Sequence, residues 1–503
     1  MPTLTKPLSG WGRYPVQICE LERPERYTDL RPTTDTLIAR GQGRSYGDAA
    51  LNENGRVVLT ERIDRMLSLD TKLGILQAEA GVTLAEILPV IVKQGWFLPV
   101  TPGTKFVSLG GCVAADVHGK NHHHDGSFGD HVLAIDLILA DGSHKTCSAT
   151  ENADIFWATV GGMGLTGIIS EVTLKLIPIQ TAQMLVNHHA ANNIEHLFKL
   201  LQDPTLDDQY SVAWIDCLAS GDQLGRGIAM FGHHATAEEL GVNPSSTTNP
   251  SQPPLDRGGA DTALPLSQQR CGAPPSIPLA GARGRWRGFA SKHLREDPLY
   301  CKPKRTHKLP FNFPSWVLNP LSINLFNKFY YFKGSRKKSP FLTDYDSYFY
   351  PLDAIGEWNK MYGKRGFVQY QCVIPEATAL EGITALLKEL SGSRRSSFLA
   401  VLKRLGAEGK GLLSFPLPGY TLALDLPIRD KGLFSLLDKL DHILLQYGGR
   451  IYLAKDARIS PESFRTMYPH YGEWLKIKQA IDPANRFSSS LSRRLHITEG
   501  SAQ

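Results

Sequence analysis

Glycine gathers in this chain where the backbone must bend sharply or pass close to something else. The first cluster is Arg40-Gly41-Gln42-Gly43-Arg44-Ser45-Tyr46-Gly47-Asp48-Ala49-Ala50. The second runs from Thr101-Pro102-Gly103-Thr104 through Ser108-Leu109-Gly110-Gly111 to His118-Gly119-Lys120-Asn121-His122. The third is Gly161-Gly162-Met163-Gly164, closed by Gly167. In the first two clusters glycine is expected to supply positive φ and to remove Cβ, so that backbone N–H groups turn toward one anion. Each cluster alone could serve a tight turn. Together they suit an extended ligand, and the expectation is a dinucleotide whose pyrophosphate is held by main-chain amides.

Two commoner phosphate-binding designs do not fit. Gly41, Gly43 and Gly47 miss the last spacing of the G-x-G-x-x-G fingerprint, and Asn52-Glu53-Asn54-Gly55 reads as a turn where that fingerprint needs a helix. No Walker A loop is present.

The chain has 503 residues and ordinary apolar content, enough for two domains with separate cores. Its formal charge of +6 is a mild excess with local concentrations at Lys302-Pro303-Lys304-Arg305 and at Lys333 with Arg336-Lys337-Lys338. The second lies beside Phe329-Tyr330-Tyr331-Phe332. Such clusters are either solvated loops or a surface for anionic lipid headgroups or a polyprenyl phosphate. No arginine–aromatic stripe points to nucleic acid. Seven irregularly spaced cysteines, with no C-x-x-C, fit a reducing compartment. The N-terminus lacks a signal-peptide core and no apolar run is long enough to span a bilayer. The expectation is a soluble cytoplasmic protein that touches at most the inner face of a membrane.

Thr83 caps a predicted helix over 82–95 in which Leu84, Ile87, Leu88 and Ile91 share a face, with Pro89 favouring a kink or early break. Asp141-Gly142 joins two strands of a hairpin, 134–139 and 144–147. Alternation over 168–177 reads as a half-buried strand. Helix returns over 433–447. There is no regular βαβ rhythm, so the fold class is α+β. Residues 243–300 begin with a stretch rich in Ser, Thr, Pro, Gly and Gln and read as disordered.

These segments carry a family resemblance. The 40–48 loop, Thr101–Thr104, His118–His123, Gly126–His131 and Phe156–Gly162 together resemble FAD-binding oxidoreductases of the vanillyl-alcohol-oxidase (PCMH) type. Within that family they are most similar to oxidases of lipid-linked pentoses. The likeness resumes at Tyr350–Asp353, Gly356–Asn359 and Gln369–Gln371, and closes with Tyr452–Asp456 and Asp482–Leu495. It implies an FAD domain from both chain ends, 1–182 and 429–503, around a central mixed α/β substrate domain, 183–428, built on an antiparallel sheet.

The resemblance also implies roles. The 40–50 loop, Gly103, Ser108 to Gly111 and His118 to His122 would cradle FAD, with Ile169 near the adenine and Tyr452 near the flavin. Lys455 would be the leading catalytic residue, with His118 and Tyr46 beside it. Lys120, Gln369, Gln371, Lys403 and Lys455 would meet the sugar and its phosphate. Gln369 and Gln371 lie two apart, so on a strand both face one surface. Relatives carry a pocket cysteine and an amide where this chain has Ala423 and Thr421. Tyr46 stands where relatives often tether the flavin through histidine, so noncovalent FAD is expected. His122-His123-His124 could suggest a metal, but neighbouring histidines in a strand or loop point apart, and none is expected.

The implied activity is oxidation of the C2 hydroxyl of a polyprenylphosphoryl pentose to a keto sugar. A short-chain NAD(P)H-dependent reductase would then complete an epimerisation. The alternatives are an alditol or aldonolactone oxidase and a non-catalytic binding protein of the same fold.

Overall fold

The computed structural model describes residues 4–29, 35–242 and 292–497, apart from 303, 305, 315, 316, 394, 396 and 398. Most of the predicted disordered insertion, 243–291, lies outside the described residues. Its last part does not match the expectation: Lys292–Glu296 is a helical turn, and Pro298 accepts a hydrogen bond from the Ala182 amide at 2.8 Å.

Near the N-terminus a four-stranded sheet orders Leu4–Ser9, Val16–Glu22, Arg56–Leu59 and Leu37–Arg40. Leu37 and Ile38 are fully buried, and their strand delivers the chain directly into the first glycine loop. A second sheet, antiparallel throughout, orders Met66–Asp70, Ile75–Glu79, Ile168–Lys175, Val132–Ile138 and His144–Cys147. The expected hairpin is present, with Ile138 opposite His144 and Gly142 at φ 86°. Val172 and Leu174 face the core as the alternation predicts.

The predicted first helix spans Leu84–Ile91 and buries Leu84, Ile87, Leu88 and Ile91. Thr83 and Glu86 close a reciprocal capping box, a device worth about 1 kcal/mol. Beyond Pro89 the helix tightens into a 3-10 turn at Val92–Gln94 and stops at left-handed Gly95.

The central element is an eight-stranded sheet. Its spatial order is Phe341–Asp344, Gln183–Ala191, Gly227–His234, Tyr210–Ile215, Ala400–Leu405, Gly419–Pro427, Phe367–Pro375 and Arg450–Ile451. Helices Ile194–Gln202, Ala379–Ser393 and Gly432–Gln446 cover one face, where Cys372, Leu402, Tyr420, Leu422 and Leu424 are fully buried. The alternate residues point to the other face, which carries the polar row described below. The C-terminus returns to the start of the chain: the Leu37 amide bonds the Arg486 carbonyl at 2.7 Å, and Ser488 bonds back to Leu37 at 3.0 Å. The architecture is α+β, mixing helices with antiparallel sheets.

Candidate active site

The loop that follows Arg40 has its amides free. Among the described residues, no protein acceptor meets the N–H groups of Gly41 to Ser45, whereas the Tyr46 amide donates to the Ala454 carbonyl at 3.0 Å. Five successive free donors on a half-exposed loop are a candidate anion-binding nest. The side chains around it serve the protein instead. Arg40 turns back to the carbonyls of Ser9 (2.7 Å) and Ala50 (3.2 Å), bracing the loop from within. Asp48 is buried against Arg494, and the Arg44 guanidinium lies 3.9 Å from the Trp11 ring centroid. Gln42, Ser45 and Ala49 complete the loop, Ala49 within the core.

The glycines work differently from expectation. Of the seven in the first two clusters, only Gly43 has positive φ, 60°. Gly41, Gly47, Gly110, Gly111 and Gly119 serve close approach instead, whereas Gly103 is not needed for either reason. A Cβ on Gly47 would sit 1.7 Å from the Asp456 carbonyl oxygen, and one on Gly41 2.0 Å from Ser108 Oγ. The first two loops therefore touch at Gly41 and Ser108. The third wraps the helix Leu109–Ala114, with the amides of Gly161 and Met163 bonded to the carbonyls of Val113 and Ala114.

The Ser108–Gly111 segment departs from the predicted role. Ser108 caps the helix, accepting from the Gly111 amide at 3.3 Å, and the Leu109 and Gly110 amides bond Val82 and Ala80, each at 2.8 Å. Three amides read as ligands are thus already used. Gly103 and Gly111 are nevertheless exposed, and a Cβ on Gly103 would meet open space. Ile169 is a core residue of the Ile168–Lys175 strand.

Unpartnered buried atoms cluster at 118–122: His118 Nδ1, Asn121 Oδ1 and His122 Nε2. Buried polar groups without partners are uncommon, and these three fall within five residues of sequence. Gly119 packs close to Asn121, where its Cβ would be 2.4 Å from Oδ1. With the amide nest, these orphaned atoms are the donor and acceptor set that a large polar cofactor such as FAD requires. Tyr452 adds an aromatic wall, stacked on Phe415 at 4.7 Å with its hydroxyl donating to the Ala115 carbonyl at 2.7 Å.

Against His118 lies the second face of the central sheet, the one not packed on its three covering helices. Register places Gln369 against Asp425, Gln371 against Ala423, and Lys403 against Thr421, all on one face. Gln371 Nε2 donates to His118 Nε2 at 2.9 Å and to Thr421 Oγ1 at 3.3 Å. This pairing leaves the proton of His118 on Nδ1. Gln369 donates to Asp425 Oδ1 at 2.5 Å, and Tyr362 reaches Oδ2 at 3.4 Å. Asp425 and Tyr362 are members of this cluster that sequence reading did not single out, although Asp425 stands two residues from Ala423.

Lys120, Lys403 and Lys455 are half-buried, and the Lys403 charge acts on both of the others, so the three lie near one another. Burial lowers Lys120 to about 7 and Lys403 to about 8, the Lys403 charge adding to the effect on Lys120. Burial likewise lowers Lys455 to about 8, opposed by Asp425 and assisted by Lys403. Burial, then Lys403, His122 and Lys455, push His118 well below the ordinary histidine range, so it is neutral at neutral pH. Burial raises Asp425 to about 7 against its bonds and the Lys455 charge. Lys455 Nζ stands 4.0 Å from the Tyr46 ring centroid, and Tyr46 packs edge-on against Phe367. Lys120 is anchored, donating to the Tyr348 carbonyl with its ammonium 3.9 Å from the Tyr348 ring centroid.

The three histidines correct an expectation. His122–Asp125 is a helical turn, and His123 and His124 do not diverge: their rings lie 4.2 Å apart and both Nε2 atoms face Asp207 Oδ1, at 3.5 and 3.1 Å. The donor atoms of this trio all lie within 4.8 Å of one another, close enough to share an ion. His122 turns the other way, Nδ1 accepting from the Gly406 amide at 3.0 Å.

Free amides, orphaned atoms and neighbouring cations make this the candidate site of a flavoprotein oxidoreductase. Residues 31–148 match the family described as FAD binding domain, and residues 431–495 match that described as D-arabinono-1,4-lactone oxidase. Decaprenylphosphoryl-beta-D-ribose oxidase of Mycolicibacterium smegmatis is 33% identical over 508 residues, covering 99% of this chain and 98% of the relative. L-gulonolactone oxidase of Bos taurus is 31% identical over 138 residues, 27% of this chain and 31% of that protein. Among solved structures, xylooligosaccharide oxidase of Myceliophthora thermophila C1 superposes with a TM-score of 0.60 at 15% identity, covering 94% of this chain and 91% of that one, a likeness of fold. The chain belongs to the FAD-dependent oxidoreductase family of decaprenylphosphoryl-β-D-ribose oxidase, and its cofactor is FAD.

Proposed function

We propose that the substrate is a polyprenylphosphoryl pentose, oxidised at its C2 hydroxyl to the 2-keto sugar. The observation that carries this reading is the charge of the site: Lys120 and Lys455 each lie within electrostatic reach of Lys403, with one carboxylate, Asp425, acting on Lys455. A neutral polyol or lactone leaves that excess unanswered, whereas a sugar phosphodiester supplies an anion.

FAD, when bound, accepts the two electrons of the oxidation. Gly41 to Ser45 would hold its pyrophosphate, and His118 to His122 with Tyr452 would position its ring system. Lys455 keeps its proton at neutral pH and places a cation where negative charge develops during reduction. Gln371 is held by His118 and Thr421, so its carboxamide is oriented before a sugar arrives. Lys403 and Lys120 would meet the phosphodiester. The cofactor unit would comprise 1–182 and 429–503, with helix Gly432–Gln446 and strand Arg450–Ile451 packed on the central sheet of 183–428. A short-chain NAD(P)H-dependent reductase would consume the keto sugar, completing epimerisation. Among the described residues no helix is long and apolar enough to cross a membrane, so access to a lipid-linked substrate would come through peripheral contact.

A second reading is oxidation of a free aldonolactone or alditol, favoured by the match of 431–495, which includes Lys455, to the lactone oxidase family. Anaerobic mixing of FAD-loaded protein with short-chain polyprenylphosphoryl ribose, arabinono-lactone and free alditols decides between them. Bleaching of the flavin band by the phosphodiester alone is the expected result. Bleaching by the lactone or alditol alone would replace the first reading with the second.

A further inference from the structure

The helix Pro320–Ser335 is turned inside out. Its inward side places Asn327 in the interior, where Nδ2 donates to Asp216 Oδ1 at 2.7 Å, beside buried Ile323. Its outward side carries Leu321, Leu325, Phe329 and Phe332, exposed by 80%, 69%, 63% and 52%. These four fall at i, i+4, i+8 and i+11, a single stripe along the helix. Large apolar side chains arranged in this way on a water-facing helix mark a binding surface.

Charge identifies the partner. From 298 to 343 the sequence holds nine Lys or Arg residues and no Asp or Glu, more than the +6 excess of the whole chain. The remainder of the protein is therefore net negative. A second copy docking about a two-fold axis would set this basic segment against itself. Residues 243–291 hold five Arg against two Asp, so they too repel it. An anionic bilayer satisfies both features, apolar side chains entering the acyl boundary while lysines and arginines meet headgroups. Arg336 already lies over the Phe332 ring, 3.8 Å from its centroid, in the manner of a side chain placed at such a boundary.

We propose that the outer face of Pro320–Ser335 docks this protein on an anionic lipid surface. The helix packs on Gln183–Ala191 and Gly227–His234, with Tyr330 4.7 Å from Trp214 and Gly334 against Ile228. Trp214 pairs with Val401, whose other neighbour is Ala423, so the helix covers the same sheet face that carries Gln371 and Lys403. Docking would bring that face to the bilayer. The proposal rests on the reading that the substrate is lipid-linked, but its test does not need the sugar.

The test is co-sedimentation of FAD-loaded protein with phosphatidylcholine vesicles, with and without phosphatidylglycerol. The wild type is expected to bind only the anionic vesicles and to be released by salt. Leu325→Asp with Phe329→Asp, and separately Lys333→Glu with Arg336→Glu, should each weaken binding by about tenfold or more, with flavin content and bleaching by a soluble short-chain substrate unchanged. Equal binding by wild type and both variants, or none by the wild type, overturns the docking surface while leaving flavin reduction to judge the substrate. Vesicle binding without bleaching by any phosphodiester overturns the substrate reading instead. A wild-type dimer that the Leu325→Asp, Phe329→Asp variant dissociates would assign the stripe to a second copy. A Phe329→Cys variant carrying an environment-sensitive dye covers the last occupant. Emission that turns apolar only on adding anionic vesicles supports docking, and a dye already shielded without them assigns the stripe to this chain's own 243–291 segment.

Discussion

Arg494 holds Asp48 by two bonds, Nε to Oδ2 at 2.9 Å and Nη2 to Oδ1 at 2.8 Å, across 446 residues of sequence. The same Nη2 reaches Asp456 Oδ2 at 2.8 Å, so one guanidinium ties the first glycine loop to the segment that carries Lys455. Both carboxylates are almost fully buried. Arg494→Met leaves Asp48 as a buried charge without its cation, while Asp456 keeps the amides of Arg458 and Ile459, an effect of about 3–5 kcal/mol. The expected outcome is a lower melting temperature together with loss of FAD on gel filtration. Unchanged FAD retention would show that the clamp does not shape the cofactor loop.

Lys455→Met removes the cation beside Tyr46 without touching the amide nest. FAD content should match the wild type, while the rate of anaerobic flavin reduction falls by about a hundredfold or more. A variant that bleaches at the wild-type rate would remove Lys455 from the chemistry.

Asp425 makes stability depend on pH in an unusual direction. Burial raises its carboxyl from 3.8 to about 7. Between those values the native protein holds a proton that the unfolded chain has released, so stability falls as pH rises through that window. The most this can amount to is about 4 kcal/mol. Asp425→Asn should flatten the slope of melting temperature against pH between 4 and 7, checked by calorimetry. An Asp425→Asn variant whose slope equals that of the wild type would contradict the assignment.

Tyr46 is buried beneath Lys455 and cannot form the histidyl bond seen in tethered flavoproteins. Acid precipitation of the holoenzyme should leave all its flavin in the supernatant, measured by absorbance.

Ala423 offers no thiol on the face it shares with Gln371 and Lys403, and Cys372 on the neighbouring strand points to the helix-covered face. Thiol-directed reagents should leave activity unchanged. Ala423→Cys should add one reactive site, seen by mass spectrometry as one adduct more than the wild type carries, with loss of turnover.

Much of this was legible locally. The hairpin at Asp141-Gly142, the cap at Thr83 and the shared face of Gln369 and Gln371 follow from periods and turn chemistry within a few residues. What was not legible depends on distant partners. Gln369 bonds Asp425 across 56 positions, and Asp48 bonds Arg494 across far more. The Leu109 and Gly110 amides could be read as free because nothing nearby reveals that Ala80 and Val82 consume them. His123 and His124 converge because their segment turns helically, where a strand would have separated them. Glycine composition likewise announced tight loops but not their mechanism, since close approach to Ser108 and Asp456 is a tertiary fact.

The return of the C-terminus to Leu37 and Asp48 has a consequence for biosynthesis. A nascent chain emerging from the ribosome already owns its phosphate loop but lacks Lys455, Tyr452 and the arginine that closes the clamp. FAD uptake would therefore wait until synthesis has passed Arg494, and chains that stop short of that residue should accumulate colourless.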